Sequence, residues 1–129
     1  MDRIVVIGGG LAGCEAAWQI AKRGGRVTLY EMKPETYSPA HRSPFFAELV
    51  CSNSFKSESM ENASGVLKEE MRQLESLILK VAREVRVPAG NSLAVDRENF
   101  SRGVTQILEN LENVEVIRKE VSSLRQNGL

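Results

Sequence analysis

Ile4-Val5-Val6-Ile7-Gly8-Gly9-Gly10-Leu11-Ala12-Gly13, answered downstream by Arg26-Val27-Thr28-Leu29-Tyr30-Glu31, is the stretch that decides the fold. The apolar run before Gly8 has the continuity expected of a parallel strand covered on both faces. The glycines satisfy G-x-G-x-x-G, and Ala17 and Gly24 follow at spacings suited to a close helix–strand crossing. The second run reads as another strand ending on an acidic tip, Glu31. A glycine pattern alone is weak evidence, but this one sits between two strands and is specific.

Each position in the unit has a chemical reason. Gly8 permits the tight turn, Gly10 lets the backbone approach a pyrophosphate, and Gly13 lets the helix pack closely. The turn Gly8, Gly9, Gly10, Leu11, Ala12, Gly13 therefore opens a helix whose free N–H groups and dipole receive phosphate charge. Glu31 is placed to accept hydrogen bonds from a ribose 2′-hydroxyl and would repel a 2′-phosphate, which favours FAD or NAD over NADP. The bland alternative is a glycine-rich turn without a ligand, and the full framing weighs against it.

Working outward, the 129 residues suit one domain or part of one. Apolar residues make up 42% and charged residues 26%, an ordinary balance for a globular chain. Seventeen basic and seventeen acidic residues cancel, so no global charge argues for nucleic acid or a membrane surface. No apolar stretch approaches the roughly 20 residues that span a bilayer. The chain enters its first strand directly, without the pattern of a signal peptide. Cys14 and Cys51 do not resemble a disulfide framework, so a reducing, cytoplasmic setting is expected. No zinc-ligand spacing, Walker motif, Ser/His/Asp set or aromatic–basic RNA module is visible.

After Glu31 the periodicity dissolves over residues 32–64, with Pro34, Pro39, Pro44 and the lone His41. Loops of that length are usually functional or disordered. Phe45-Phe46-Ala47-Glu48-Leu49-Val50-Cys51 is too apolar for a disordered linker, so an ordered active-site loop, with a short helical turn, is expected. From Gly65 the spacing of Leu67, Met71, Leu74, Ile78, Val81 and Val85 predicts one helix, ended by Pro88 and Gly90. Its other face carries Lys68, Arg72, Lys80 and Arg83, interleaved with acids. That pattern reads as a solvated face, with nucleic-acid phosphates as the sharper alternative. Ser92–Val95 reads as a short strand, Asp96 as the N-cap of a further helix, and Val114–Ile117 as a third parallel strand. Three main strands are few for a doubly wound sheet, so the chain reads as the N-terminal part of a longer enzyme.

Leu49-Val50-Cys51-Ser52-Asn53-Ser54 is the second informative stretch. It sets one thiol among small polar side chains on a loop. A cysteine there is a candidate nucleophile or a small buried hydrophobe. Cys14, on the first helix, reads as structural. His41 suits a substrate or flavin hydrogen bond and a loop-stabilising role equally.

The chain resembles the N-terminal region of the folate- and FAD-dependent tRNA (uracil-5-)-methyltransferases. The likeness rests on Val6–Gly13, Tyr30-Glu31-Met32-Lys33-Pro34, Pro39-Ala40-His41, Phe46–Ser54, Gly65–Met71, Pro88-Ala89-Gly90 and Leu93–Arg97. The flavoproteins that modify the tRNA wobble uridine share the glycine motif but have a different cysteine loop. A generic FAD/NAD small-molecule oxidoreductase and a non-enzymatic FAD-binding module are the remaining rivals.

The resemblance implies a cytoplasmic bacterial enzyme that makes 5-methyluridine in the T-loop of tRNA. Its one-carbon donor would be 5,10-methylenetetrahydrofolate, its flavin FAD, and its reductant NAD(P)H. It implies an α/β fold: part of a Rossmann-like FAD-binding parallel sheet over 1–129, with the catalytic loop inserted at 32–64. Cys51 matches the cysteine implicated in catalysis, as nucleophile or acid–base partner; a second family cysteine has no counterpart here. Lys33 is expected at the cofactor. Ser52 and Asn53 are expected to meet the flavin ring or to form an Asx-type turn. Val121, after Glu120, is expected where related flavoproteins present backbone to adenine. Neither oligomeric state nor individual tRNA contacts follow from the sequence.

Overall fold

A computed structural model describes residues 2–125. Strands β1 (Arg3–Ile7), β2 (Arg26–Glu31) and β6 (Val114–Arg118) form a parallel sheet in the order β1-β2-β6. Ile4 lies beside Val27, and Leu29 beside Val116. Helix α1 (Leu11–Lys22) crosses between β1 and β2, and α4 (Arg97–Glu109) leads into β6. This is the expected Rossmann-like α/β arrangement. Ala17 is fully buried, as a close crossing requires. Gly24 approaches nothing and instead lies in the turn that follows α1.

A second, antiparallel sheet was not foreseen. It has the order β3-β5-β4, from Ser54–Ser57, Ser92–Val95 and Arg86–Val87. The short strand predicted at Ser92–Val95 is real, but one partner, β3, comes from the stretch read as irregular and the other, β4, from the end of the stretch read as helix. Residues 32–64 thus contain a strand and the start of a helix; the expected short helical turn falls at residues 32–36, where Thr36 N–H donates to Met32 O at 2.8 Å.

The single helix predicted from Gly65 to Val85 is two: α2 (Ala63–Gln73) and α3 (Leu77–Glu84). The break at Glu75 (φ 59°) is made by tertiary bonds that periodicity cannot reveal. Trp18 Nε1 donates to the Glu75 carbonyl at 3.0 Å, and Ser76 caps α3 by accepting from Leu79 N–H. Glu15 of α1 accepts from Ser76 Oγ and from the N–H groups of Leu77 and Ile78, so a carboxylate sits on the N-terminus of α3. In consequence Leu67 and Leu74 are exposed, while Lys68 is buried with its ammonium on Ser57 O and Ser64 Oγ.

The core lies between the parallel sheet and helices α1, α3 and α4, around Leu29, Phe46, Leu77, Leu93, Phe100 and Leu108. β1 is not covered on both faces as expected. Ile4 is 43% and Ile7 50% exposed, and among the described residues β1 pairs only with β2. No helix is long and apolar enough to cross a membrane, and no cluster of metal-ligating side chains occurs among the described residues.

Candidate functional site

The glycine turn, the tip of β2 and the segment after β6 enclose a pocket of about 300 Å³. Gly8 turns at φ 100° and donates its N–H to Tyr30 O at 2.8 Å. Only glycine adopts that angle without cost. A Cβ on Gly13 would lie 1.8 Å from Gly8 O, so helix and turn meet backbone to backbone. A Cβ on Gly10 would meet nothing, which leaves a clear face for a ligand. Gly10 is also the N-cap of α1 and supplies no side-chain cap. The N–H groups of Leu11, Ala12 and Gly13 therefore have no intrahelical acceptor and suit a phosphate.

Glu31 is nearly buried and fixed by two backbone amides. Its Oε2 accepts from Gly9 N–H and its Oε1 from Lys33 N–H, both at 3.0 Å. A carboxylate at this tip repels a 2′-phosphate wherever its remaining lone pairs point. Lys33 lines the pocket, but its ammonium is not offered to a ligand. It donates to Phe45 O at 2.7 Å and Glu48 at 3.0 Å, nearly out of water. Burial pushes the Glu48 carboxyl up, yet hydrogen bonds from Arg42 N–H and Lys33 outweigh it and hold the group below its usual range. Lys33 thus clamps the long loop against β2.

Two further stitches fix that loop. Ala47 N–H donates to Gly9 O at 2.8 Å, and Phe46 N–H to Thr105 Oγ1 at 2.8 Å. Arg118, at the tip of β6, donates to the Lys33 and Pro44 carbonyls and stacks on Phe46 at 4.3 Å. Arg118, Glu48 and the pocket-lining Lys119 were missed in the sequence. The signal available was position, since ligands gather at the carboxyl ends of parallel strands. His41 lines the pocket and also bonds to Ser38 within its own loop.

The pocket gathers Gly8, Gly9, Gly10, Glu31, Lys33 and Val121. It does not gather Cys51, Ser52 or Asn53. Cys51 is exposed. Ser52 Oγ accepts from Ser54 N–H, a local turn. Asn53 is a rung of the second sheet: its amide donates to Val95 O at 3.1 Å, and its carbonyl accepts from Val95 N–H at 2.9 Å. Cys14 is fully buried, and its thiol donates to Gly9 O. Burial, helped by Glu31, pushes that thiol up to about 12, so it is inert.

The basic face read on α2 and α3 is engaged internally. Arg72 pairs with Glu69, Arg83 with Glu58, and Lys80 lies over Trp18.

A glycine turn opening an uncapped helix, with an acidic tip on the next parallel strand, defines a Rossmann-like dinucleotide-binding unit. The comparisons carry this further. The chain belongs to the family described as Glucose inhibited division protein A, matched over residues 3–128. It is 60% identical over 129 residues to the methylenetetrahydrofolate–tRNA-(uracil-5-)-methyltransferase TrmFO of Acetivibrio thermocellus, covering all of this chain and 30% of that protein. The TrmFO of Lactobacillus gasseri is 58% identical with the same coverage. The chain thus spans about 30% of the length of these relatives. Among solved structures, Aquifex aeolicus GidA superposes with a TM-score of 0.71 at 20% identity, over 93% of this chain and 20% of that one. The p-nitrophenol 4-monooxygenase PnpA of Pseudomonas putida gives 0.55 at 18% identity, over 91% and 32%. Both likenesses are of fold.

Proposed function

We propose that this chain is the N-terminal FAD-binding part of a folate- and FAD-dependent tRNA (uracil-5-)-methyltransferase. The observation that supports it most is 60% identity along the whole chain to a relative carrying that name. FAD fits the cradle: Gly8 to Gly13 hold the pyrophosphate, Glu31 the ribose hydroxyls, and the backbone at Glu120-Val121 the adenine. When bound, the flavin supplies the reducing equivalents that convert a transferred methylene into a methyl group.

Cys51 is the nucleophile in this reading. Uracil C5 is a poor nucleophile until a thiolate adds at C6 and places the electron pair on C5 as an enolate. An exposed thiol can reach a base; the buried Cys14 cannot. Methylenetetrahydrofolate donates the carbon, NAD(P)H is the reductant, the T-loop uridine of tRNA is the acceptor, and the cytoplasm is the setting.

The test uses the full-length protein with tRNA transcript, methylenetetrahydrofolate and reduced nicotinamide, reading 5-methyluridine by nucleoside mass. Wild-type protein forms it at the T-loop, and Cys51→Ala forms none while retaining yellow flavin. Modification at the wobble uridine instead would place the protein with the sister enzymes. Flavin turnover without any change in RNA would leave a small-molecule oxidoreductase.

A further inference from the structure

A second cleft, of about 410 Å³, lies on the other side of the long loop, between Arg42–Leu49 and the start of α4. Its acids are all spent. Glu48 is held by Lys33 and by the N–H groups of Arg42 and Ser43. Glu98 pairs with Arg102, whose guanidinium stacks on Phe45 at 5.4 Å. Asp96, beside the cleft, caps α4 through Asn99 N–H. Its cations Arg42 and Arg97 are not spent. Both are exposed, and among the described residues neither guanidinium has a hydrogen bond, ion pair or ring contact. By contrast, the interleaved basic face of α2 and α3 is fully paired or buried.

The cleft adjoins the thiol. The chain leaves it at Leu49 and is pinned again at Asn53 on Val95. Leu49, which lines the cleft, stands two residues before the exposed Cys51, so the thiol lies on the stretch of loop that leaves it.

We infer that this cleft is where RNA phosphates dock, with Arg42 and Arg97 gripping the backbone on either side of the nucleotide presented to Cys51. The inference rests on the methyltransferase reading and names the face of this chain that meets tRNA. Guanidiniums grip phosphate in a planar fork, and a phosphate contact contributes affinity that falls with salt. The cleft borders the exposed stretch of residues 50–52, along which a polymer backbone can lie.

The test compares wild-type, R42A/R97A and R42K/R97K full-length proteins by tRNA binding across a salt series, with bound flavin as the folding control. Losing two phosphate contacts lowers the slope of log affinity against log salt by about 1.5 and weakens binding about ten-fold or more at low salt. The lysine pair restores most of the slope. Equal affinity and slope in R42A/R97A, with wild type methylating tRNA, overturns this docking face and leaves the methyltransferase reading intact. Unchanged binding with slowed methylation overturns it too, because the guanidiniums would then act on the chemistry. A wild-type protein that neither binds nor methylates tRNA removes both readings together.

Discussion

Gly13 shows how a motif position can be fixed by geometry rather than by ligand chemistry. Its missing Cβ would sit 1.8 Å from a backbone oxygen that cannot move without unmaking the Gly8 turn. Gly13→Ala is therefore expected to destabilise the fold by about 3 kcal/mol, the upper end of overpacking costs. It also opens the phosphate cradle, and thermal unfolding together with flavin retention measures both effects. An unchanged melting temperature would mean that α1 can stand further from the turn at no cost. Glu31 and Lys33 teach the converse. Both were expected at the cofactor, but the bonds that set Glu31 on the Gly9 and Lys33 amides, and Lys33 on Glu48, were not legible. Such partners are far apart in sequence, and no local pattern encodes them.

The elements were legible where one period governs and illegible where tertiary contacts override it. β1, α1, β2, α4 and β6 follow directly from runs and caps. The α2–α3 break does not, because Leu67, Met71, Leu74, Ile78 and Val81 keep helical spacing across it. What interrupts them is Glu15, reaching from α1 to the N-terminus of α3. Burial pushes the Glu15 carboxyl up, but hydrogen bonds from Gln19, Ser76 and the Ile78 and Leu77 amides outweigh it and hold it below its ordinary value near 4.5. A depressed carboxylate stabilises the fold above its unfolded value, and that share is lost as pH falls through the folded one. Glu15→Gln is accordingly expected to cost about 1–3 kcal/mol at neutral pH. The gap to wild type narrows as pH falls below about 4.5, where the unfolded carboxyl takes up its proton while the native one stays ionised, and is gone once pH passes the depressed folded value. Denaturant melts at pH 7 and pH 4 decide it, and a gap independent of pH would show that charge has no part in the cap.

At the scale of the whole molecule, β1 is the anomaly. It is apolar, yet among the described residues it forms an open edge of the three-stranded parallel sheet. Parallel sheets are ordinarily covered, and an uncovered apolar edge is an invitation to pairing. In the full-length protein a further strand is expected against β1. Hydrogen exchange of the 129-residue chain alone should show β2 amides protected and those on the free side of β1 fast. The full-length protein should protect both. Equal exchange of β1 in the two would mean that nothing docks there.

The Ala47–Gly9 bond has one more consequence. Gly9 belongs to the cradle, and Ala47 precedes Cys51 on the same short stretch of loop. Filling the cradle therefore damps the excursions of the strip that carries the thiol. The rate at which an alkylating reagent finds Cys51 becomes a gauge of how much dinucleotide the protein holds.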